Sequence, residues 1–121
     1  MGWGANSVQA STATRYLYPF YEDKTAETGL FQVTAPRDGT LRNMFVRHNS
    51  PNGNGGAIVY TLLVNGADTA LTVSLASTGS TASLTGVEVA VSQGDLLAMR
   101  VTKAAAVGST PNNINVTMEY A

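Results

Sequence analysis

Cysteine is absent from the 121 residues, so neither disulfides nor thiolate metal ligands hold the fold, and thiol or redox chemistry is excluded. Charge is scarce as well: Asp, Glu, Lys and Arg make up 12% of the chain, against about 25% in ordinary soluble domains. Seven basic residues nearly balance eight acidic ones. With no basic stripe to neutralise phosphates and no Lys/Arg cluster beside an apolar face, neither nucleic acid nor a membrane is expected as a partner. No apolar run approaches the roughly 18 residues of a spanning helix. The opening residues lack a charged start followed by an apolar run, so the reading is a protein made in, and kept in, a cytoplasm or released by lysis. Asn6 stands where a myristoylation motif needs Ser or Thr.

What is present is strand-like. Residues 1–14 are small and polar apart from Trp3, without sustained periodicity, and read as a flexible arm. From Arg15 onward, short alternating runs are broken by Gly, Pro and Asn, the pattern of an all-β sandwich. Residues 15–21 form an aromatic edge strand, because Pro19 removes a ladder donor. Residues 29–35 give a second strand that stops at Pro36, where Pro36-Arg37-Asp38-Gly39 supplies turn chemistry.

Residues 40–49 form a third strand, in which Met44 and Val46 share one face and Leu41 and Phe45 the other. That mixed register implies a bulge near Arg42-Asn43 or burial on both faces. Residues 57–64 are apolar on both faces, and Asn65-Gly66 turns them into a hairpin partner at 69–76. Strands at 87–91, around 97–101 and at 114–120 complete an eight-stranded antiparallel jelly-roll sandwich over residues 15–121. The immunoglobulin framework is missing, since there is no cysteine and the single Trp lies in the arm.

Candidate chemistry is thin. His48 is the one histidine, no Gly-x-Ser-x-Gly elbow surrounds any serine, and the residue reads as a surface or interface group. No metal or cofactor is expected, because one His without Cys does not make a zinc site and the glycine-rich loop at 49–56 holds no carboxylate for calcium. Asp38, Asp68 and Asp95 sit at turns, where Asp bonds nearby backbone. Glu88 and Glu119 point outward from alternating strands rather than into a cleft. The chain therefore reads as a non-enzyme; a polysaccharide hydrolase would have to lean on Glu22 or Asp23. Asn115-Val116-Thr117 matches a glycosylation acceptor by chance.

Binding features remain. Trp3 on an arm suits an anchor that orders on contact with a partner. Tyr16 and Tyr18 either cap the core or meet a neighbour, while Arg42, Arg47 and His48 either line a subunit seam or face water. The loop at 49–56, with Asn52 and Asn54, and the loop at 107–113 are candidate ligand loops.

Several segments carry a likeness: Gly2-Trp3-Gly4, Thr14-Arg15-Tyr16-Leu17-Tyr18-Pro19 and Ala35-Pro36-Arg37-Asp38-Gly39-Thr40-Leu41-Arg42-Asn43, then Tyr60-Thr61-Leu62-Leu63-Val64-Asn65-Gly66 and Gln93-Gly94-Asp95-Leu96-Leu97. Together they resemble tailed-phage structural proteins with small jelly-roll folds, most of all capsid decoration (cement) proteins and the trimeric heads of fibres. The resemblance implies a homotrimer on the capsid surface of a virion, made in the cytoplasm of a host bacterium. It would bind the major capsid protein through the arm residues Trp3, Asn6, Ser7 and Val8. The alternative is a tail-fibre or receptor/carbohydrate-binding head.

Overall fold

A computed structural model describes residues 1–6, 13–22, 24–26, 28–49, 56–103 and 113–121. The strands are β1 (Gly2–Ala5), β2 (Ala13–Tyr16), β3 (Tyr18–Pro19), β4 (Val33–Thr34) and β5 (Gly39–Arg47), then β6 (Ile58–Val64), β7 (Ala67–Leu75), β8 (Thr81–Val91), β9 (Leu96–Lys103) and β10 (Ile114–Tyr120). No helix occurs among the described residues.

The first sheet has the order β3-β1-β10-β5-β8 and the second the order β2-β9-β6-β7, with β4 also pairing β9. All pairings are antiparallel. Set aside the two-residue strands β3 and β4, and the chain shuttles between two four-stranded sheets, β1-β10-β5-β8 and β2-β9-β6-β7. That interleaving is a jelly roll. The described residues form ten strands, of which eight build the roll.

Side-chain alternation explains the layers. On β10, Ile114, Val116 and Met118 are buried while Asn115, Thr117 and Glu119 face solvent; on β7, Leu71, Val73 and Leu75 are buried between exposed Thr72 and Ser74. The central strand β6 is covered on both faces, so Thr61, Leu62 and Leu63 are all buried, as its continuous apolar run implies. Asn65 (φ 52°) and Gly66 (φ 80°) both adopt positive φ in the β6–β7 hairpin, the requirement that makes Asn-Gly a hairpin sequence. The expected bulge in β5 is present at Asn43 (φ 55°), where the pairing with β8 shifts register between Arg42 and Met44. It changes the parity of the strand. Leu41 consequently joins Met44 and Val46 in the core, and Phe45 alone of the apolar set faces out.

Three expectations are corrected. The start of the arm is a strand: Gly2–Ala5 pairs with β10 on one side and β3 on the other, and Trp3 lies opposite Val116 on the inner face. The aromatic strand at 15–21 is two strands in two sheets, joined at the fully buried Leu17, whose N–H donates to the Met99 carbonyl at 3.0 Å. Pro19 does sit on an edge. The strand expected at 29–35 shrinks to Val33–Thr34, since that stretch meets only the end of β9.

Candidate functional site

The outer face of the first sheet carries an ordered polar grid, read directly from the register. One row across β10, β5 and β8 is Asn115, Arg47 and Thr81; the next is Thr117, Phe45 and Ser83; the third is Glu119, Arg42 and Glu88. Phe45 is 44% exposed in the middle of this grid, although it sits on an interior strand of the sheet. A ring left in water between hydroxyl, amide and guanidinium groups offers an apolar face together with hydrogen-bonding partners.

The third row is locked. Arg42 donates from Nε and Nη2 to Glu119 at 3.1 and 2.9 Å and from Nη1 to Glu88 at 3.2 Å, and Asn43 Nδ2 donates to Glu119 at 2.8 Å. The Arg42 hydrogen bonds hold the Glu119 carboxyl below the usual carboxylate range and push the guanidinium further up. The bulge at Asn43 makes this possible, because it brings Arg42 and Asn43 together over the same carboxylate.

A second ring lies beside the first row. On β1, Gly4 pairs with Asn115, and a Cβ at Gly4 would stand 2.6 Å from Tyr21 Cδ2 and 2.7 Å from the Ile114 carbonyl. Only glycine admits the Tyr21 ring there. The Tyr21 hydroxyl donates to Asn113 Oδ1 at 2.9 Å, and Asn115 Nδ2 donates to the Asn113 carbonyl at 3.1 Å. Two strand spacings separate β1 from β5, so Tyr21 and Phe45 flank the Asn115 column at roughly 10 Å across the sheet.

The sequence candidates fall elsewhere in part. Trp3 is 1% exposed between the sheets, so it cannot be a solvent-presented anchor; its alternation with Gly2 and Gly4 directs it inward. Asn6 is exposed, but its backbone is tied, donating to Lys24 at 2.8 Å and accepting from Asn113 at 2.7 Å. Ser7, Val8, Asn52, Asn54 and Asp23 lie outside the described residues, as do most of the loops at 49–56 and 107–113.

His48 is also corrected. It continues the inward parity of Val46, is 1% exposed, and its Nε2 meets the Tyr60 hydroxyl, with either group able to donate. Among the described residues its Nδ1 has no hydrogen-bond partner, and burial pushes the ring's pKa down to about 4. Burial likewise pushes the Tyr60 hydroxyl up. Tyr18 is buried rather than at a surface seam: its hydroxyl donates to the Thr25 carbonyl at 2.9 Å, and its ring lies 4.8 Å from that of Phe31. Tyr16 is half-buried opposite Arg100. Arg42 and Arg47 share the outer face of the first sheet with Phe45.

Asp95 behaves as expected of a turn residue, accepting from Ser92 N–H at 2.8 Å. Asp38 instead accepts from Gln93 N–H at 2.8 Å across the loop, and Asp68 binds Arg100 in a two-pronged pair at 2.6 and 2.8 Å.

No protein-family model and no curated protein matches the chain. Among solved structures, it is similar to a family 35 carbohydrate-binding module from Clostridium thermocellum, at 22% identity and a TM-score of 0.42, over 72% of this chain and 66% of that one. It is also similar to a Podospora anserina GH26-CBM35 β-(1,4)-mannanase, at 17% identity and a TM-score of 0.44, over 92% of this chain and 23% of that one. The chain thus spans less than two thirds of the length of either.

Of the outer-face residues, Tyr21 belongs to the aromatic stretch that the sequence marks as either core cap or contact surface, whereas Phe45, Asn115, Thr117 and Ser83 were not singled out as a site from the sequence. Phe45 carried a signal, because the bulge needed to reconcile Leu41 with Met44 leaves Phe45 with no apolar company on its face.

Proposed function

We propose that the chain is a non-catalytic carbohydrate-binding head domain whose docking platform is the outer face of the first sheet. The observation that supports this reading is Phe45, 44% exposed at the centre of a grid of Thr, Ser, Asn and Arg side chains. A sugar ring presents an apolar C–H face and a rim of hydroxyls. Phe45 stacks against the first, and Asn115, Arg47, Thr117 and Ser83 serve the second. Tyr21 extends the platform at the far side of Asn115.

The test is a glycan array followed by calorimetric titration of the best ligand. Phe45→Ala should weaken binding by at least about tenfold with the circular dichroism spectrum unchanged. Silence across the array, or full binding by Phe45→Ala, overturns the reading.

A second reading, docking onto a phage capsid as a decoration protein, draws on a different feature. Phe20 is 70% exposed at φ 68°, directly after the edge strand β3. A bulky aromatic in the left-handed region costs on the order of 1–2 kcal/mol, and such strain in the open is a mark of a contact residue. Co-sedimentation with tailed-phage capsids stripped of decoration protein, lost in Phe20→Ser, would support it. Absence of co-pelleting overturns it.

A further inference from the structure

We propose that β8 is the seam of a two-fold homodimer, in which a second copy of this chain pairs antiparallel with it about the Thr85–Gly86 peptide. The four sheet edges are not alike. In the first sheet, β3 is two residues long and ends in proline; in the second, β2 has four residues, including Arg15, and the nine-residue β7, whose one charge Asp68 is tied to Arg100, keeps its inward Leu71, Val73 and Leu75 buried. By contrast β8 runs for eleven residues, pairs among the described residues with β5 alone, and contains no Pro, Lys or Arg. Its one charge, Glu88, is held by Arg42. Of the devices that normally blunt a long edge strand, the described residues supply a bulge and that one paired carboxylate.

The inner side of the strand is unfinished too. Ala82, Leu84 and Val89 lie opposite the buried Val46, Met44 and Leu41, yet these three residues and Val87 remain only half-buried. The apolar row reaches the edge of the sandwich and stops without cover.

What selects a second copy is the phase of the pattern. Before Gly86 the inward residues are even-numbered, and after it they are odd-numbered, because the register shift against β5 and Gly86 at φ 79° change the parity. A two-fold axis through the 85–86 peptide sets Ala82 opposite Val89 and Leu84 opposite Val87 on the inner face. It also sets Ser83 opposite Glu88 on the outer face, so no two carboxylates meet. An axis through residue 85 itself would oppose apolar residues to outward polar ones, which side-chain alternation forbids. At the axis, a Cβ on Gly86 would meet nothing within 4 Å, leaving room for a partner backbone. Pairing joins the two first sheets edge to edge and sets their outer faces side by side, making the assembly bivalent. The dimer stands independently of what the platform binds.

Native mass spectrometry and sedimentation equilibrium on the full chain should give twice the 12.6 kDa chain mass in the micromolar range. Leu84→Lys should raise the dissociation constant at least about tenfold. Because that variant risks the fold, a second test uses the absence of cysteine. Ala82→Cys combined with Val89→Cys should form an interchain disulfide on mild oxidation, whereas Ala82→Cys with Glu88→Cys, which the axis leaves unopposed, should not. A monomer or trimer as the sole species, or equal cross-linking by both pairs, overturns the proposal.

Discussion

The two ends of the sandwich solve the same problem in opposite ways. At one end, where the turns at 36–39, 65–66 and 92–95 meet, polar groups are matched to one another. Asp38 accepts from Gln93 N–H, and Asp95 accepts from Ser92 N–H and, at 3.0 Å, from Asn65 Nδ2. Leu96 N–H donates to Asn65 Oδ1 at 2.9 Å, and the Arg37 guanidinium lies 4.8 Å over the Tyr120 ring, whose hydroxyl donates to the Arg37 carbonyl. At the other end, where β5 stops and β6 begins, ionisable groups occupy core positions and are only partly matched among the described residues. His48 leaves Nδ1 unsatisfied, and Lys103, 4% exposed and opposite Ile58, leaves its ammonium unsatisfied. One end is stabilised by pairing; at the other, burial pushes the ionisable groups toward their neutral forms. Stability in a fold is not spread evenly, and here the ends should respond to different perturbations.

The largest expected effect is acid sensitivity at the His48 end. The folded state holds His48 neutral, with Tyr60 as its partner, while the unfolded chain takes up a proton below its ordinary pKa of 6.5. His48-dependent stability is therefore complete above pH 6.5 and is lost as pH falls toward about 4. At about 1.4 kcal/mol per pH unit, the loss over that window is roughly 3 kcal/mol. Urea unfolding at successive pH values checks it, with His48→Gln expected to flatten the slope. At the turn end the Ser92 N–H holds the Asp95 carboxyl below its ordinary value of 3.8, so its contribution disappears only in more acid solution. A wild-type profile flat between 6.5 and 4 would erase the contrast between the ends.

Next in size is a steric test. A Cβ at Gly39 would stand 2.7 Å from both the Ala121 carbonyl and Tyr120 Cε1, so Gly39→Ala should cost about 2 kcal/mol through forced displacement of β10. In the mirror experiment, Gly56→Ala, the added Cβ meets none of the described residues within 4 Å and costs about 1 kcal/mol for its φ of +93°. Equal losses by chemical denaturation would show that the two ends pack alike. Lys103→Met should act in the other direction, stabilising by about 1 kcal/mol, because it removes a desolvated ammonium that burial already pushes toward neutrality. A loss of stability in that variant would mean that the ammonium is served after all.

How much of this was legible follows from the same contrast. Positions governed by local rules could be read: the Asn65-Gly66 hairpin, the two-faced burial of β6 and, as one of two ways to reconcile the mixed register of β5, the bulge near Arg42-Asn43. The jelly-roll class followed from strand spacing. Positions decided by distant partners could not. The stretch at 1–6 has no apolar period because two of its residues are glycines, so nothing local says that β10 and β3 will trap Trp3 between sheets. His48 looks like a terminal polar residue until Tyr60, twelve residues on, supplies its partner. The platform around Phe45 needs a register across β10, β5 and β8, and that register joins residues more than thirty positions apart. The split of 15–21 at Leu17 is likewise invisible in a run that reads as one aromatic strand.

The smallest expected effect tests whether the turn end is held by charge or by shape. Asp95 is half-buried, and the Ser92 N–H is the main reason its carboxyl lies below the usual range, with Asn65 adding to it. Charge-assisted bonds of this kind favour the ionised form, so they weaken once the carboxyl is protonated. Asp95→Ala should lower the melting temperature at neutral pH by less than Gly39→Ala does, and the difference from wild type should shrink in acid, where the wild-type side chain is also neutral. Thermal scans at the two pH values separate the causes. A difference that persists undiminished in acid would mean that the Asn65–Asp95 geometry holds the turn by fit alone, and the end would then owe its stability to the same packing as the core beneath it.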